Sequence, residues 1–169
     1  MPTETGVATQ PAASSDPEIE ALKLSDVAKH AAYQLKAAFP KVVFTSGHRD
    51  KISQACAMAS NVIINRNWIS ETYKSSPAIS ECQTWINQNP QATTQPAISA
   101  GLLSVLNGLT EEQLGHVSKH LLGEAFDVQP IHDETADGIV ALLRNLTAAA
   151  GGKFLDREGG LCRWHAQFS

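Results

Sequence analysis

Three polar residues in the C-terminal half of the chain are of the types that bind zinc: His120, Asp127 and His165. Imidazole nitrogens and carboxylate oxygens are common zinc ligands, and three protein ligands leave a fourth coordination position open for water. Such a site is catalytic rather than structural. Spacing alone does not predict that the three residues form one site, because Gly123 interrupts any single regular element between His120 and Asp127. Isolated His and Asp side chains are most often exposed, so ordinary surface polarity is the alternative.

The segment around the first two residues matches a longer pattern. Ser118, His120, Gly123, Ala125 and Asp127 occupy the fixed places of Ser-x-His-x-x-Gly-x-Ala-x-Asp. This pattern resembles the motif of the zinc D-Ala-D-Ala peptidases of the VanX and VanY type, relatives of the hedgehog zinc fold. The resemblance implies that His120 and Asp127 bind zinc, and that Ser118 donates a hydrogen bond nearby.

Two further elements resemble the same family and extend the likeness over roughly residues 40 to 168. Trp164-His165 resembles the Trp-His element near the end of its members. In "TSGHRD", Arg49 stands where the family has the arginine of a Ser-Gly-Tyr-Arg-like turn, and Gln54 fits the helix that follows. The resemblance implies that His165 is the third ligand of one zinc ion and that Gln54 helps to bind substrate.

Arg49 has two interpretations. The resemblance implies that it holds the substrate carboxylate or polarises the scissile carbonyl, a role suited to its fixed charge and planar donor fork. The alternative is a surface ion pair with Asp50 or another acid, which is a common state for an arginine.

The general base departs from the family pattern. Many members place a catalytic glutamate three residues before the last histidine, and here that position is Cys162. A thiol is a poor general base for a zinc-activated water, for which a carboxylate is expected. We expect Glu158 to take this role, with Asp156 as the second choice. Cys162 as a fourth zinc ligand would close the site, and without a carboxylate at the metal the chain would be an inactive relative.

These motifs predict a zinc-dependent peptidase of bacterial peptidoglycan. The resemblance implies cleavage of stem peptides, either as a D-Ala-D-Ala carboxypeptidase or as a stem-peptide endopeptidase. The alternative, which Cys162 favours, is a zinc-containing module that binds cell-wall peptide or a protein without cutting it. The N-terminus lacks a secretory signal pattern, which predicts a protein made in the cytoplasm that acts in the periplasm or cell wall. Delivery would resemble that of a phage lysis enzyme or an injected effector, with a carrier or immunity partner.

The length and composition of the chain exclude several classes of protein. The chain has 169 residues, enough for one compact domain, which we expect to be monomeric. Its formal net charge of −4 argues against nucleic acid as a partner. No apolar run approaches the roughly 20 residues that span a bilayer. Three cysteines without CxxC spacing predict reduced thiols, and a Cys56–Cys82 disulfide would require an oxidising compartment.

Apolar periodicity and cap residues predict the elements that position these side chains. Residues 1–15 are predicted to be a flexible tail and 16–169 the zinc domain, an α+β fold with helices packed on a small antiparallel sheet, like that of hedgehog and the DD-peptidases. Helices are predicted at 16–39, with a break at Ser25, and at 52–73, 78–88, 97–109 and 134–152. A short helical turn is predicted to begin at the Thr110/Gln113 capping box. Strands are predicted at 41–47 and 124–131, and a β-hairpin over 153–168.

Overall fold

The computed structural model describes residues 15–158 and 161–169. The predicted N-terminal tail lies outside the described residues except for its last position. The described helices are α1 Pro17–Ala21, α2 Asp26–Ala38, α3 Lys51–Ile64, α4 Trp68–Thr72, α5 Pro77–Gln88, α6 Gln95–Asn107, α7 Glu111–Val117 and α8 Ala136–Ala149, with a 3-10 helix at Lys119–Leu122. The strands are β1 Phe44–Ser46, β2 Ala125–Val128, β3 Lys153–Glu158 and β4 Leu161–Gln167. No helix within these ranges is long and apolar enough to cross a bilayer.

The four strands form one antiparallel sheet in the order β1-β2-β4-β3. This arrangement confirms the α+β class with a small antiparallel sheet, and β3 and β4 confirm the predicted C-terminal hairpin. The central pair is β2 and β4, in which Asp127 lies opposite His165. The strand predicted over 41–47 is shorter than expected, since only Phe44–Ser46 pairs with β2.

Local capping begins several helices where the sequence predicts them. The Asp16 carboxylate accepts from the backbone N–H groups of Glu18 and Ile19, and the Asp50 carboxylate accepts from Ser53. The Thr110/Gln113 capping box is present in both directions. Such caps satisfy N–H groups that lack partners in the first turn. The predicted break at Ser25 is also confirmed, because α1 and α2 are separate helices.

The single helix predicted over 52–73 is wrong, because α3 ends at Ile64 and α4 begins only at Trp68. The side chain of Arg66 supplies the reason. Its guanidinium donates to the carbonyl oxygens of Ile86 at 2.6 Å, Asn89 at 3.1 Å and Ala92 at 2.8 Å. Those carbonyls lie in the last turn of α5 and just beyond it, where a cation is favourable. A tertiary contact therefore overrides local helix propensity here.

The buried apolar side chains form two groups, and only the second contains residues of the sheet. One lies among α3, α5, α6 and α7 and includes Met58, Ile86 and Leu102. The other lies between the sheet and helices α2 and α8, and includes Phe126 and Leu143. Residues of helices α3, α4 and α7 and of strands β3 and β4 line one open cavity of about 660 Å³. The elements that carry the predicted ligands meet at this cavity.

Candidate metal centre

The three predicted ligands come from three different elements that meet in space. His120 lies on the 3-10 helix, Asp127 on β2 and His165 on β4. Gly123 ends the 3-10 helix at a positive φ of 69° and turns the chain toward β2. A Cβ at this glycine would approach the carbonyl oxygen of Lys23 to 3.0 Å. The interrupting glycine is thus the turn that brings the first two ligands together.

The ligand atoms form a compact cluster. One ligand atom from each of His120, Asp127 and His165 can be chosen so that all lie within 4.8 Å of one another. His120 Nε2 is 3.3 Å from Asp127 Oδ2, and His165 Nδ1 is 2.8 Å from Asp127 Oδ1. Both histidines are buried and the aspartate is half-buried. This geometry brings together the residues that the sequence predicted as ligands.

The last residue of β1 and the turn that follows it orient two of these side chains. Ser46 donates its hydroxyl to Asp127 Oδ2 at 2.6 Å. The carbonyl oxygen of Gly47 lies 2.7 Å from His120 Nδ1, and the backbone N–H of Arg49 donates to the carbonyl of His120 at 2.9 Å. A Cβ at Gly47 would lie 2.5 Å from the carbonyl oxygen of Leu22, so only glycine permits this close approach.

The hydrogen bond to Gly47 fixes the tautomer of His120. A carbonyl oxygen only accepts, so Nδ1 of His120 carries the proton. In the neutral imidazole Nε2 then presents a lone pair, and it faces Asp127 Oδ2 at 3.3 Å. Two lone pairs at this distance repel unless a cation lies between them. The donor set therefore fits a metal ion, with Gly47 as the outer partner that metal-binding histidines usually have.

His165 has a similar outer partner. Its Nε2 lies 3.4 Å from Oε1 of Gln167, which leaves Nδ1 on the side of Asp127. The rings of His120 and His165 are 5.0 Å apart at their centroids. Both imidazoles thus turn one nitrogen to an acceptor of the protein and the other toward the Asp127 carboxylate.

The electrostatics favour the anionic form of Asp127. Burial by itself would raise the pKa of this carboxyl, but its hydrogen bonds and charge interactions with the imidazoles of His120 and His165 outweigh burial and hold the pKa well below its usual range. Burial would likewise lower the pKa of His165, but Asp127 and the negative charge of Glu158 raise it above its ordinary value. Asp127 is therefore an anion at neutral pH, the form that binds a metal.

His120, Asp127 and His165 all line the open cavity. A fourth coordination position of a metal held by them would therefore be accessible from the cavity. Arg49, Ser118 and Glu158 also line this cavity. Ser118 lies close to a metal ligand, because its hydroxyl accepts from the backbone N–H of His120 at 3.3 Å. Three of the residues predicted from sequence to act around the metal thus share its cavity.

The two carboxylates weighed as general base have different positions. Glu158, at the end of β3, lines the cavity, and its charge contributes to the raised pKa of His165. Asp156 is exposed outside the cavity and lies 3.5 Å from Nη2 of Arg144 on α8. Cys162 is exposed on β4 and is absent from the cavity wall, whereas Arg163 and His165 line it. Of the three side chains, only Glu158 is placed near the metal cluster.

Arg49 is half-buried and is held by a neighbour rather than by an acid. Its Nη1 donates to Oε1 of Gln54 at 3.1 Å. The alternative partner, Asp50, instead caps α3 through Ser53. Within residues 15–158 and 161–169, Arg49 forms no ion pair, which leaves its charge available in the cavity.

Gln54, which the resemblance implies helps to bind substrate, lies behind the cavity wall. Its side chain is fully buried, with 0 % of its surface exposed, and it does not line the cavity. In this conformation it cannot touch a substrate, and it contacts Arg49 on one side and Tyr73 on the other. Gln54 therefore acts through its neighbours.

Sequence reasoning missed four residues around the cluster: Ser46, Gly47, Tyr73 and Gln167. Gln167 follows His165 by two positions on β4, so strand alternation could have placed both side chains on one face. Tyr73 could not be found in this way, because it was assigned to the end of a continuous helix and lies instead beyond the C-terminus of α4.

The three cysteines are all free thiols, and all lie within the described ranges. The Cys56–Cys82 disulfide that was considered is therefore not formed. Cys56 instead lies 3.2 Å from the hydroxyl of Ser99. Burial raises the pKa of the Cys82 thiol to about 11, so it is protonated and unreactive at neutral pH.

Comparison with known proteins does not assign the chain to a family. No family model, no curated protein and no solved structure matches it. The resemblance to the zinc D-Ala-D-Ala peptidases therefore stays a prediction that rests on the motif residues.

Proposed function

We propose that this chain is a zinc-dependent peptidase that hydrolyses the stem peptides of bacterial peptidoglycan. One observation carries the proposal: a His-Asp-His cluster with an open side faces a cavity that also holds a carboxylate, Glu158, and a cation, Arg49. A metal, a proton acceptor and a fixed positive charge are the parts that hydrolysis of a peptide bond requires. The fold and family are proposed to be those of the VanX and VanY type.

Zinc is the metal that best suits the donor set. Two imidazole nitrogens and one carboxylate oxygen, from His120, His165 and Asp127, form a three-ligand set typical of catalytic zinc. Hard cations such as Mg²⁺ and Ca²⁺ prefer oxygen ligands throughout. When bound, zinc would polarise the scissile carbonyl and lower the pKa of a coordinated water toward about 7.

The protein side chains supply the remaining functions. Glu158 would accept the proton of the attacking water and return it to the leaving amine, since an ionised carboxylate can do both in turn. Arg49 would hold a substrate carboxylate or the scissile carbonyl oxygen through the guanidinium N–H groups that Gln54 leaves free. Ser118 would donate a hydrogen bond at the cavity wall close to His120.

The substrate class follows from the resemblance, and the cavity is compatible with it. Five basic side chains line the cavity: Arg49, Lys74, Lys119, Lys153 and Arg163. One of them, Lys119, is paired with Glu124 at 3.1 Å. An excess of positive charge suits a peptide with free carboxylates, such as a peptidoglycan stem. Either the terminal D-Ala-D-Ala bond or a neighbouring stem linkage would be cut.

The zinc-containing binding module is the alternative function. It was inferred because a cysteine, not a glutamate, stands three residues before His165. The position of Glu158 on the cavity wall weighs against that alternative, because a carboxylate from the preceding strand would be available for the role of the missing glutamate.

Incubation of purified peptidoglycan fragments with the zinc-loaded protein tests the proposed function. We expect mass spectrometry to show new fragments that differ by the products of one stem-peptide cleavage, because the cluster, Glu158 and Arg49 share one cavity. A chelator should stop the reaction and added Zn²⁺ should restore it. If the zinc-loaded protein cleaves no stem peptide but still binds one, the binding module is the correct function.

Arg49→Lys tests the cation in the cavity. Lysine keeps the charge but loses the planar fork, so kcat/KM should fall by about one to three powers of ten while bound zinc is unchanged. Arg144→Lys is the matched control, since that arginine is exposed, pairs with Asp156 and does not line the cavity. Kinetics with stem peptides and a zinc assay measure both effects. Wild-type turnover of Arg49→Lys would show that Arg49 does not contact the substrate.

A further inference from the structure

Three side chains beside the metal cluster form a linked chain of hydrogen bonds. Arg49 Nη1 donates to Oε1 of Gln54 at 3.1 Å, and Nε2 of Gln54 donates to the hydroxyl oxygen of Tyr73 at 3.3 Å. Gln54 is fully buried, whereas Arg49 and Tyr73 both line the cavity. Two side chains that line the cavity are thus connected by hydrogen bonds through a buried third side chain.

The direction of each hydrogen bond follows from the chemistry of its donor. A guanidinium has N–H groups and no acceptor, so the amide oxygen of Gln54 must face Arg49. The amide NH₂ group must then face Tyr73, and the phenol oxygen must accept. The hydroxyl proton of Tyr73 therefore cannot be used for Gln54. Within residues 15–158 and 161–169 no acceptor for this proton is present.

We propose that Tyr73 and Arg49 form a two-donor site for one anionic oxygen group of the ligand, with Gln54 as the positioning residue. Arg49 and Tyr73 are each hydrogen-bonded to Gln54. The remaining N–H groups of Arg49 and the O–H group of Tyr73 are therefore oriented before the ligand binds. Preorganised donors of this kind stabilise charge better than water does. The ligand group is a carboxylate of the substrate or the scissile carbonyl oxygen as it gains negative charge. The identity of this substrate rests on the proposed function.

The surroundings of Tyr73 keep its proton in place. Burial of the ring raises the pKa of Tyr73 to about 12, and the negative charge of Glu158 adds to the rise while Arg49 opposes it. Tyr73 is therefore a neutral donor at any pH near 7. The charges of Arg49 and Glu158, the two groups proposed to act on the substrate, both affect the pKa of this hydroxyl.

Tyr73→Phe tests the two-donor site, because it removes only the hydroxyl. On the zinc-loaded protein, the affinity for acetate should fall about tenfold, followed through the NMR signals of the Gln54 side-chain amide and the Arg49 guanidinium. With stem peptides, kcat/KM should fall about 10- to 100-fold. A rise in KM identifies a substrate carboxylate as the bound group, and a fall in kcat identifies the scissile carbonyl oxygen.

Tyr33→Phe is the matched control. Its hydroxyl donates to Glu20 at 2.8 Å on α1, and it does not line the cavity. This variant should keep wild-type acetate affinity and wild-type kinetics. Thermal melting of both variants separates a loss of binding from a loss of fold.

Gln54→Glu tests whether Gln54 directs the proton of Tyr73. The new carboxylate still accepts from Arg49, but it would also accept from Tyr73 and draw the hydroxyl proton away from the cavity. Acetate affinity should therefore fall as in Tyr73→Phe, although Tyr73 is intact. Unchanged acetate affinity in a folded Tyr73→Phe variant would overturn the two-donor site, whether or not stem peptides are cleaved. A fall in affinity without any peptidase activity would support the site and refute the proposed function instead.

Discussion

Replacing His120 with alanine is expected to abolish stable metal binding. The change removes one of the three proposed ligands and leaves the Gly47 carbonyl without its imidazole partner, while Asp127 Oδ2 keeps the hydroxyl of Ser46. Loss of an outer partner alone costs roughly 10- to 100-fold in metal affinity, so the loss of a direct ligand should cost more. Competition with a chromogenic chelator for Zn²⁺ measures the affinity. The domain should stay folded, because its cores do not depend on the metal.

Two other histidines serve as controls for this variant. His116 lines the same cavity but is not part of the cluster, and His30 is exposed on α2. Alanine at either position should leave the Zn²⁺ affinity at the wild-type value, while His165→Ala should behave like His120→Ala. If all four variants bind Zn²⁺ equally well, His120 and His165 are not metal ligands and the cluster is only a hydrogen-bonded group.

Elements with strong local signals could be predicted from the sequence. Helices α5, α6 and α8 have apolar residues at helical spacing, and the capping box of α7 lies within four consecutive residues. The pairing of β3 with β4 could be predicted because two short apolar runs flank a pair of glycines. The division between α3 and α4 could not, because it depends on Arg66 reaching carbonyls of α5 about 20 residues away in sequence.

In the candidate site, too, features that depend on local sequence could be predicted and features that depend on distant contacts could not. The candidate ligands His120, Asp127 and His165 can be predicted from residue type and motif, and the structure brings them together. Their orientation could not be inferred, because it depends on the turn after β1, more than 70 residues before His120. The burial of Gln54 could not be inferred for the same reason, because it depends on contacts distant in the sequence.

Glu158→Gln should reduce peptidase activity by about two to four powers of ten, the usual contribution of general acid–base catalysis. Glutamine keeps the shape of the side chain and its place on the cavity wall, but its amide cannot accept the proton of the attacking water. The Zn²⁺ affinity should not change, since Glu158 is not part of the cluster. Single-turnover kinetics with a stem peptide, together with a zinc assay of the same sample, measure both quantities.

Two neighbouring residues make this experiment specific. Asp156→Asn should keep nearly full activity, because that carboxylate is exposed and faces Arg144 rather than the cavity. Cys162→Ala should also be nearly silent, since the thiol is exposed outside the cavity wall. Full activity in Glu158→Gln would exclude it as the base, and a large loss in Asp156→Asn would require the hairpin to present the other carboxylate. A loss confined to Glu158→Gln would mean that a carboxylate at the end of β3 takes the role of the glutamate that Cys162 replaces.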